Sequence, residues 1–179
     1  MKITVIPFGN AQIDETSETV QCQHGGGECD ANTYELCAIA LTAGHVDDYL
    51  PFLVCNAQAL PSGFRAGPFP PAFFEKCAGQ AGLWWEALQM CHDSLAWQVT
   101  QRAAHATPDH PYVPYVMVNG VALEDPSNLP REVCRLYQEA GGHSRKCSGV
   151  EVSDEASSGN AVSAETCPNT LAAAFKIME

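Results

Sequence analysis

The residues of this chain best suited to chemistry lie between positions 22 and 37, in the stretch CQHGGGECDANTYELC. The stretch contains Cys22, Cys29, Cys37 and His24 around a run of three glycines. Thiolates and imidazole nitrogens bind zinc, and thiols exchange with disulfides, so either a metal site or a redox site fits these residue types. The spacing C-x-H-x4-C-x7-C is unusual for a zinc finger, which favours disulfides over zinc.

Nine cysteines are dispersed along the 179 residues, and they form no Cys-x-x-Cys pair. Dispersed cysteines are typical of disulfide-bonded proteins from oxidising compartments. We expect Cys167 to be the odd one out and the other eight to be bridged, and with 105 possible connectivities the pairing stays open. These eight candidates are Cys22, Cys29, Cys37, Cys55, Cys77, Cys91, Cys134 and Cys147.

The polar residues of the same stretch can also have purely structural roles. His24 suits a turn or packing position better than a catalytic base. Asp30 or Asn32 is a good N-cap for the helix predicted from Glu28, and Glu28 and Asn32 suit the start of that helix because acceptors there satisfy free N–H groups.

Composition excludes several classes of partner. A net charge of -12 argues against binding nucleic acid, which requires Lys and Arg, and against docking on anionic membranes. No run of 18 apolar residues occurs, so no membrane span is expected, and no signal peptide is visible. We expect no cofactor and no bound metal.

Hydrophobic periodicity predicts a strand, a helical block, a hairpin and a last helix. The strands are predicted at 3–8 and 112–118, with a short strand at Val20–Gln21 and a return at 121–123 after the turn Asn119-Gly120. The helices are predicted at 28–44, 46–58, 72–78, 83–106 and from 125 onward, with Leu95, Tyr137 and the three tryptophans facing inward. Residues 148–179 are predicted to be a disordered low-complexity tail, with a weak amphipathic turn at 171–178.

The order of these elements and the cysteine stretch together point to one family. Eight fixed positions match the signature CQHGx2ECx2Nx4C, and the chain thereby resembles the gamma-interferon-inducible lysosomal thiol reductase (GILT) family. The segments Ile6–Gln12 and Tyr112–Gly120 also resemble that family. The signature positions are Cys22, Gln23, His24, Gly25, Glu28, Cys29, Asn32 and Cys37.

The resemblance implies an α/β, thioredoxin-like fold over 1–147, with a helical insertion at about 30–106. It implies a cis Val113–Pro114 bond, with Val113 and Pro114 binding the substrate. It also implies a thiol–disulfide oxidoreductase that acts on disulfide-containing proteins or peptides, with a lysosomal or secreted location.

One departure from the family concerns the reacting group. The family's active site is a Cys-x-x-Cys that precedes the segment beginning at Ile3, and this sequence contains none. We expect a truncated member that lacks the N-terminal βα unit and is catalytically incompetent as given. The alternatives are a non-catalytic, secreted, cysteine-rich module that binds peptides or proteins and, third, a zinc-binding domain.

Overall fold

The computed structural model describes residues 1–59, 69–148 and 150, together with the backbone of 174–178. Most of the predicted loop 59–71 and most of the predicted tail lie outside the described residues. Within the described part, helices and short strands are mixed, as expected for an α/β chain.

The strands lie at the two ends of the described chain. Strand β1 is Lys2–Ile6, and the next two, β2 (Gln12–Asp14) and β3 (Thr19–Gln21), pair antiparallel as a separate hairpin. The strand β4 (Met117–Val118) pairs antiparallel with β5 (Val121–Ala122). Finally, β6 (Ala174–Met178) pairs antiparallel with β1 and parallel with β4, which gives the order β1-β6-β4-β5.

Two predictions about strands are wrong in extent or type. The strand predicted at 112–118 covers Met117–Val118 only, because the chain bends around a cis proline before it can join a ladder. At 174–178 the sequence predicts disorder or a turn, and the structure has a strand instead, since pairing on both sides overrides weak local preference.

Among the described residues, four helices lie between β3 and β4, and a fifth follows the hairpin. Their bounds are α1 Gly26–Leu41, α2 Val46–Ala59, α3 Pro71–Ala81, α4 Trp85–Ala106 and α5 Leu129–Glu139. A 3-10 turn, Pro126–Asn128, leads into α5, and the Asp125 carboxylate accepts a hydrogen bond from the Ser127 amide there.

The core lies where α1–α4 pack together and against β1, around fully buried aromatic and aliphatic side chains. Disulfides tie these elements: Cys37–Cys91 joins α1 to α4, and Cys55–Cys77 joins α2 to α3. Cys134–Cys147 holds α5 to the segment after it. The largest fully buried side chains are Tyr49, Phe52, Phe74, Leu53 and Leu88.

Three predicted core residues are exposed. Trp84 is 72% exposed because it lies one residue before α4 begins and belongs to no helix face. Leu95 lies on the same face of α4 as the buried Leu88 but is 45% exposed. Hydrophobic periodicity predicts which face of a helix a residue lies on, and it does not predict which element covers that face. Tyr137 is also exposed, because α5 buries only Cys134.

Candidate functional site

The signature loop, residues 22–29, is closed by a disulfide between Cys22 and Cys29 and leads directly into α1. Gly25, with a φ of 91°, precedes the helix, and the helix begins at Gly26 inside the glycine run. The helix therefore begins two residues before the predicted start at Glu28, and the predicted N-cap at Asp30 or Asn32 is wrong. The Cys22–Cys29 disulfide already restricts this loop in the unfolded chain, so the glycines lose less conformational entropy when the chain folds.

Glu28 is the residue that organises this loop. It is buried in the first turn of α1, and its carboxylate accepts hydrogen bonds from the His24 amide (2.6 Å) and from His24 Nδ1 (3.0 Å). A carboxylate at this end of a helix interacts favourably with the helix dipole. His24 is thus hydrogen-bonded to Glu28 through both its backbone and its ring, a geometry that stabilises the turn before α1.

The three cysteines of the stretch are all bonded to sulfur. Cys22 pairs with Cys29, and Cys37, which has no exposed surface, pairs with Cys91. Cysteines bonded in this way supply no thiolate to a zinc ion. Within the described ranges, no group of three or more His, Cys, Asp or Glu side chains is arranged to hold a metal ion.

A chain of side-chain hydrogen bonds connects the signature loop to the proline segment. The Gln23 Oε1 atom accepts a bond from Asn10 Nδ2 (2.9 Å), and Asn10 Oδ1 lies 3.1 Å from His110 Nε2. The other ring nitrogen of His110, Nδ1, lies 2.8 Å from the Pro108 carbonyl oxygen, and a neutral ring donates to only one of these two oxygens. Residues from three distant parts of the sequence thus meet at one surface, although the exposure of Gln23 and Asn10 lets water compete for these bonds.

The Val113–Pro114 bond is cis, in agreement with the expectation from the sequence. Both residues are partly buried. On one side of the bond, the Tyr112 hydroxyl donates to the Leu123 carbonyl (2.9 Å), and on the other, the Leu123 amide donates to the Val116 carbonyl (2.9 Å). The hairpin therefore fixes this segment at both ends.

The turn of the hairpin also follows the sequence. Asn119 and Gly120 have φ values of 50° and 80°, the left-handed conformations that an Asn-Gly turn adopts. Aromatic rings gather beside the cis bond, where Tyr115 lies 5.9 Å from the His110 ring and 6.0 Å from the Tyr112 ring. Together, residues 110–115 form a partly exposed surface, which we call the proline surface.

A second polar cluster, between α1 and α4, was not found from the sequence. His92 Nε2 lies 2.7 Å from Asp30 on α1, and its Nδ1 lies 2.9 Å from Asp93. The hydrogen bond to Asp30 is the main cause of a raised His92 pKa, and burial opposes it. His92 and Asp30 are 62 residues apart, so no local spacing in the sequence signals this contact.

Glu35 and Asn56 form a third polar contact, between α1 and α2. Burial raises the pKa of Glu35 to about 8, and interaction with the Asn56 side chain only partly opposes that rise. Asn56 is fully buried, and within the described residues neither polar atom of its side chain has a hydrogen bond of standard geometry. These two residues also escaped sequence analysis, because a glutamate on a helix is ordinarily solvated.

Comparison with known proteins identifies what the chain resembles. Residues 1–81 match the family model described as "Gamma interferon inducible lysosomal thiol reductase (GILT)". The chain is 35% identical over 151 residues to a gamma-interferon-inducible lysosomal thiol reductase of Mus musculus, covering 77% of this chain and 55% of that protein. No solved structure gives a significant match.

Two further relatives are more distant. A gamma-interferon-responsive lysosomal thiol protein of Arabidopsis thaliana is 28% identical over 145 residues, covering 76% of this chain and 56% of that protein. A gamma-interferon-inducible lysosomal thiol reductase of Carassius auratus is 27% identical over 150 residues, with 77% and 56% covered. The chain therefore spans about half the length of the curated relatives it matches.

Proposed function

We propose that this chain, which belongs to the gamma-interferon-inducible lysosomal thiol reductase family, forms the substrate-receiving part of a thiol–disulfide oxidoreductase with a thioredoxin-like core. The substrates are disulfide-containing proteins or peptides. The observation that carries the proposal is the cis Val113–Pro114 bond, held between the hairpin and the signature loop. A partly exposed segment that leads into a sheet strand can pair its backbone with a substrate strand.

The thiolate chemistry belongs, in this proposal, to a cysteine pair that the 179 residues do not contain. The first thiolate attacks one sulfur of the substrate disulfide and forms a mixed disulfide, and the other substrate sulfur leaves as a thiolate. The second cysteine then displaces the first, which releases the reduced substrate and leaves the pair oxidised. The eight cysteines of the described part are all in disulfides, which suits a structural part in this scheme.

An oxidising location fits these bonds. Four disulfides in a chain of this size are typical of secreted or lumenal proteins. Several relatives carry the word "lysosomal" in their names, and we extend that location to this chain as part of the proposal. In the described part, no helix is long and apolar enough to cross a membrane.

The first test is reduction of insulin by dithiothreitol in the presence of the 179-residue chain. We expect a rate equal to that of the uncatalysed reaction, because no described cysteine is free to attack. Turnover above that rate would contradict the assignment of the reacting pair to residues outside this chain.

The second test is binding of a fluorescent disulfide-bridged peptide, measured by anisotropy. Replacing Pro114 by Ala favours the trans bond. We expect Pro114→Ala to weaken binding about tenfold or more, the value of one or two lost backbone hydrogen bonds. Pro130→Ala, at an exposed trans proline in the first turn of α5 and outside the proline surface, is the matched control and should bind like the wild type.

The second candidate function is a non-catalytic binding module. The same bonded state of the eight described cysteines favours it. The two candidates separate when a Cys-x-x-Cys-bearing N-terminal unit from a relative is supplied. Restored insulin reduction supports the oxidoreductase, and tight peptide binding without reduction supports the module.

A further inference from the structure

His92 lies between two carboxylates in a way that only its charged form satisfies. Nε2 is 2.7 Å from an oxygen of Asp30, and Nδ1 is 2.9 Å from an oxygen of Asp93. A neutral imidazole has one N–H donor, whereas the imidazolium has two. Both hydrogen bonds to ionised carboxylates therefore form only when His92 is protonated.

The imidazole ring is also held by an aromatic stack. It lies face to face with Tyr34 of α1, with 4.1 Å between ring centroids, and Tyr34 stacks on Phe74 of α3 at 4.2 Å. The side chains of His92 and Asp30 are only 22% and 15% exposed, so solvent screens their contact weakly. The position of the ring is thus fixed from its face as well as from its edges.

The charged and titratable groups around His92 come from two elements. Asp30 and Tyr34 face it from α1, and Asp93 faces it from its own helix. Tyr34 is neutral at physiological pH, since burial and the two aspartates raise its pKa to about 12. The neighbouring Phe74 of α3 carries no charge, so the two carboxylates decide the protonation of His92.

We infer that protonation of His92 fastens the N-terminal half of α1 to α4, so that the signature loop is held more firmly in acid than at neutral pH. Asp30 follows Cys29 directly, and His92 follows Cys91, which is bonded to α1 through Cys37. The contact therefore lies between the disulfide that closes the loop and the disulfide that joins the two helices. We call it the Asp30–His92 clamp.

The direction of the pH dependence follows from linkage. The pKa of folded His92 is raised above 6.5, its ordinary value. The stabilisation is fully present below pH 6.5, and it is lost as the pH rises through the folded pKa. At higher pH the neutral ring retains one donor, and the bond to one aspartate breaks.

The test uses the 179-residue chain and three substitutions. Asp30→Asn keeps the shape and an acceptor oxygen but removes the charge, and His92→Gln removes the titrating group. His105→Gln is the matched control on the same helix, because His105 contacts a single carboxylate, Glu15, and both side chains are more than half exposed. Exposed pairs of that kind contribute little to stability.

Two readouts are measured between pH 5.5 and 8.5: the NMR titration midpoint of His92, and hydrogen-exchange protection of the first turns of α1. We expect the midpoint to lie above 6.5 in the wild type and to fall in Asp30→Asn. At pH 5.5, Asp30→Asn and His92→Gln should lower α1 protection about tenfold or more, the value of a charged hydrogen bond. At pH 8.5 the two substitutions should lower α1 protection about threefold or less. The control His105→Gln should show the protection of the wild type at both pH values.

Two results would overturn the inference. An unchanged His92 midpoint in Asp30→Asn would show that the carboxylate does not govern protonation. A lowered midpoint with unchanged α1 protection would show that the clamp does not hold the helix. If Asp30→Asn does not fold, the test uses Asp93→Asn, which alters the more exposed of the two carboxylates. The same measurements of the His92 midpoint and of α1 protection then decide whether the inference holds.

Discussion

The carboxyl of Glu35 provides the sharpest test of how this helical core is assembled. The group lies on the side of α1 that faces α2, beside the fully buried Asn56 amide. Burial disfavours its ionised form, and no cation is among the causes that set its pKa, so the pKa rises from 4.5 to about 8. Glu35 is therefore a neutral acid in the folded chain at pH 7 and an ionised one in the unfolded chain.

The cost of this arrangement can be worked from the two pKa values. Because the folded pKa is the higher one, the folded state binds more protons, and stability falls as the pH rises from about 4.5 toward about 8. Each unit is worth about 1.4 kcal/mol, so ionisation of the unfolded state lowers the free energy of unfolding by about 3 kcal/mol at pH 7. Below pH 4.5 both states are protonated and the cost disappears.

Substituting Glu35 by Gln keeps the size of the side chain and removes the titration. We expect the variant and the wild type to unfold with similar free energies at pH 4. At pH 7 the variant should be more stable by about 3 kcal/mol, which corresponds to a rise in Tm of roughly 6–12 °C in a chain of this size. Denaturant titration followed by circular dichroism at both pH values measures the difference.

The control is Glu75→Gln, at an exposed glutamate on α3, which should change stability by less than about 0.5 kcal/mol at either pH. Comparing each variant with the wild type at the same pH cancels the contribution of His92, provided that the two sites act independently. A Glu35→Gln variant that is no more stable at pH 7 than at pH 4, relative to the wild type, would refute the reasoning.

Two further pairs of variants test the disulfides and the hairpin. Replacing Cys37 and Cys91 by Ala removes a cross-link between residues 54 positions apart and should lower the free energy of unfolding by about 4 kcal/mol through loop entropy. Replacing Cys22 and Cys29, which are 7 positions apart, should lower it by about 2 kcal/mol. Denaturant unfolding ranks the two variants, and the reverse order would contradict this reasoning. Gly120→Ala places a side chain on a residue with a φ of 80° and should lower the free energy of unfolding by about 1 kcal/mol. Gly79→Ala lies inside α3 with open space at its Cβ and should leave stability unchanged or raise it. Equal melting temperatures of the two variants would contradict the turn assignment.

Local patterns predicted those parts of the chain that depend on neighbouring residues. The helices predicted at 46–58 and 83–106 agree with α2 and α4 to within two residues at each end. The Asn119-Gly120 turn follows from the left-handed conformations that these two residues accept. The cis bond at Pro114 came from the family resemblance, because only about one X–Pro bond in twenty is cis and sequence alone favours trans.

The start of α1 shows where local reasoning failed. Three successive glycines predict irregular backbone, yet the helix begins at Gly26. The cause is tertiary and covalent: the Cys22–Cys29 bond and the buried Glu28 carboxylate fix the loop from outside the glycine run. A propensity describes what a residue prefers when nothing else constrains it.

The sequence by itself determined that eight cysteines would be bridged, that the chain resembles one family of thiol reductases, and that a proline would stand before an Asn-Gly hairpin. The tertiary structure decided which cysteines pair, where Asn10 meets Gln23 and His110, and that His92 meets Asp30. The physical reason is that spacing along a chain governs which side chains share a turn or a helix face. Contacts between helices 62 residues apart depend on how those helices pack, and no local pattern records that.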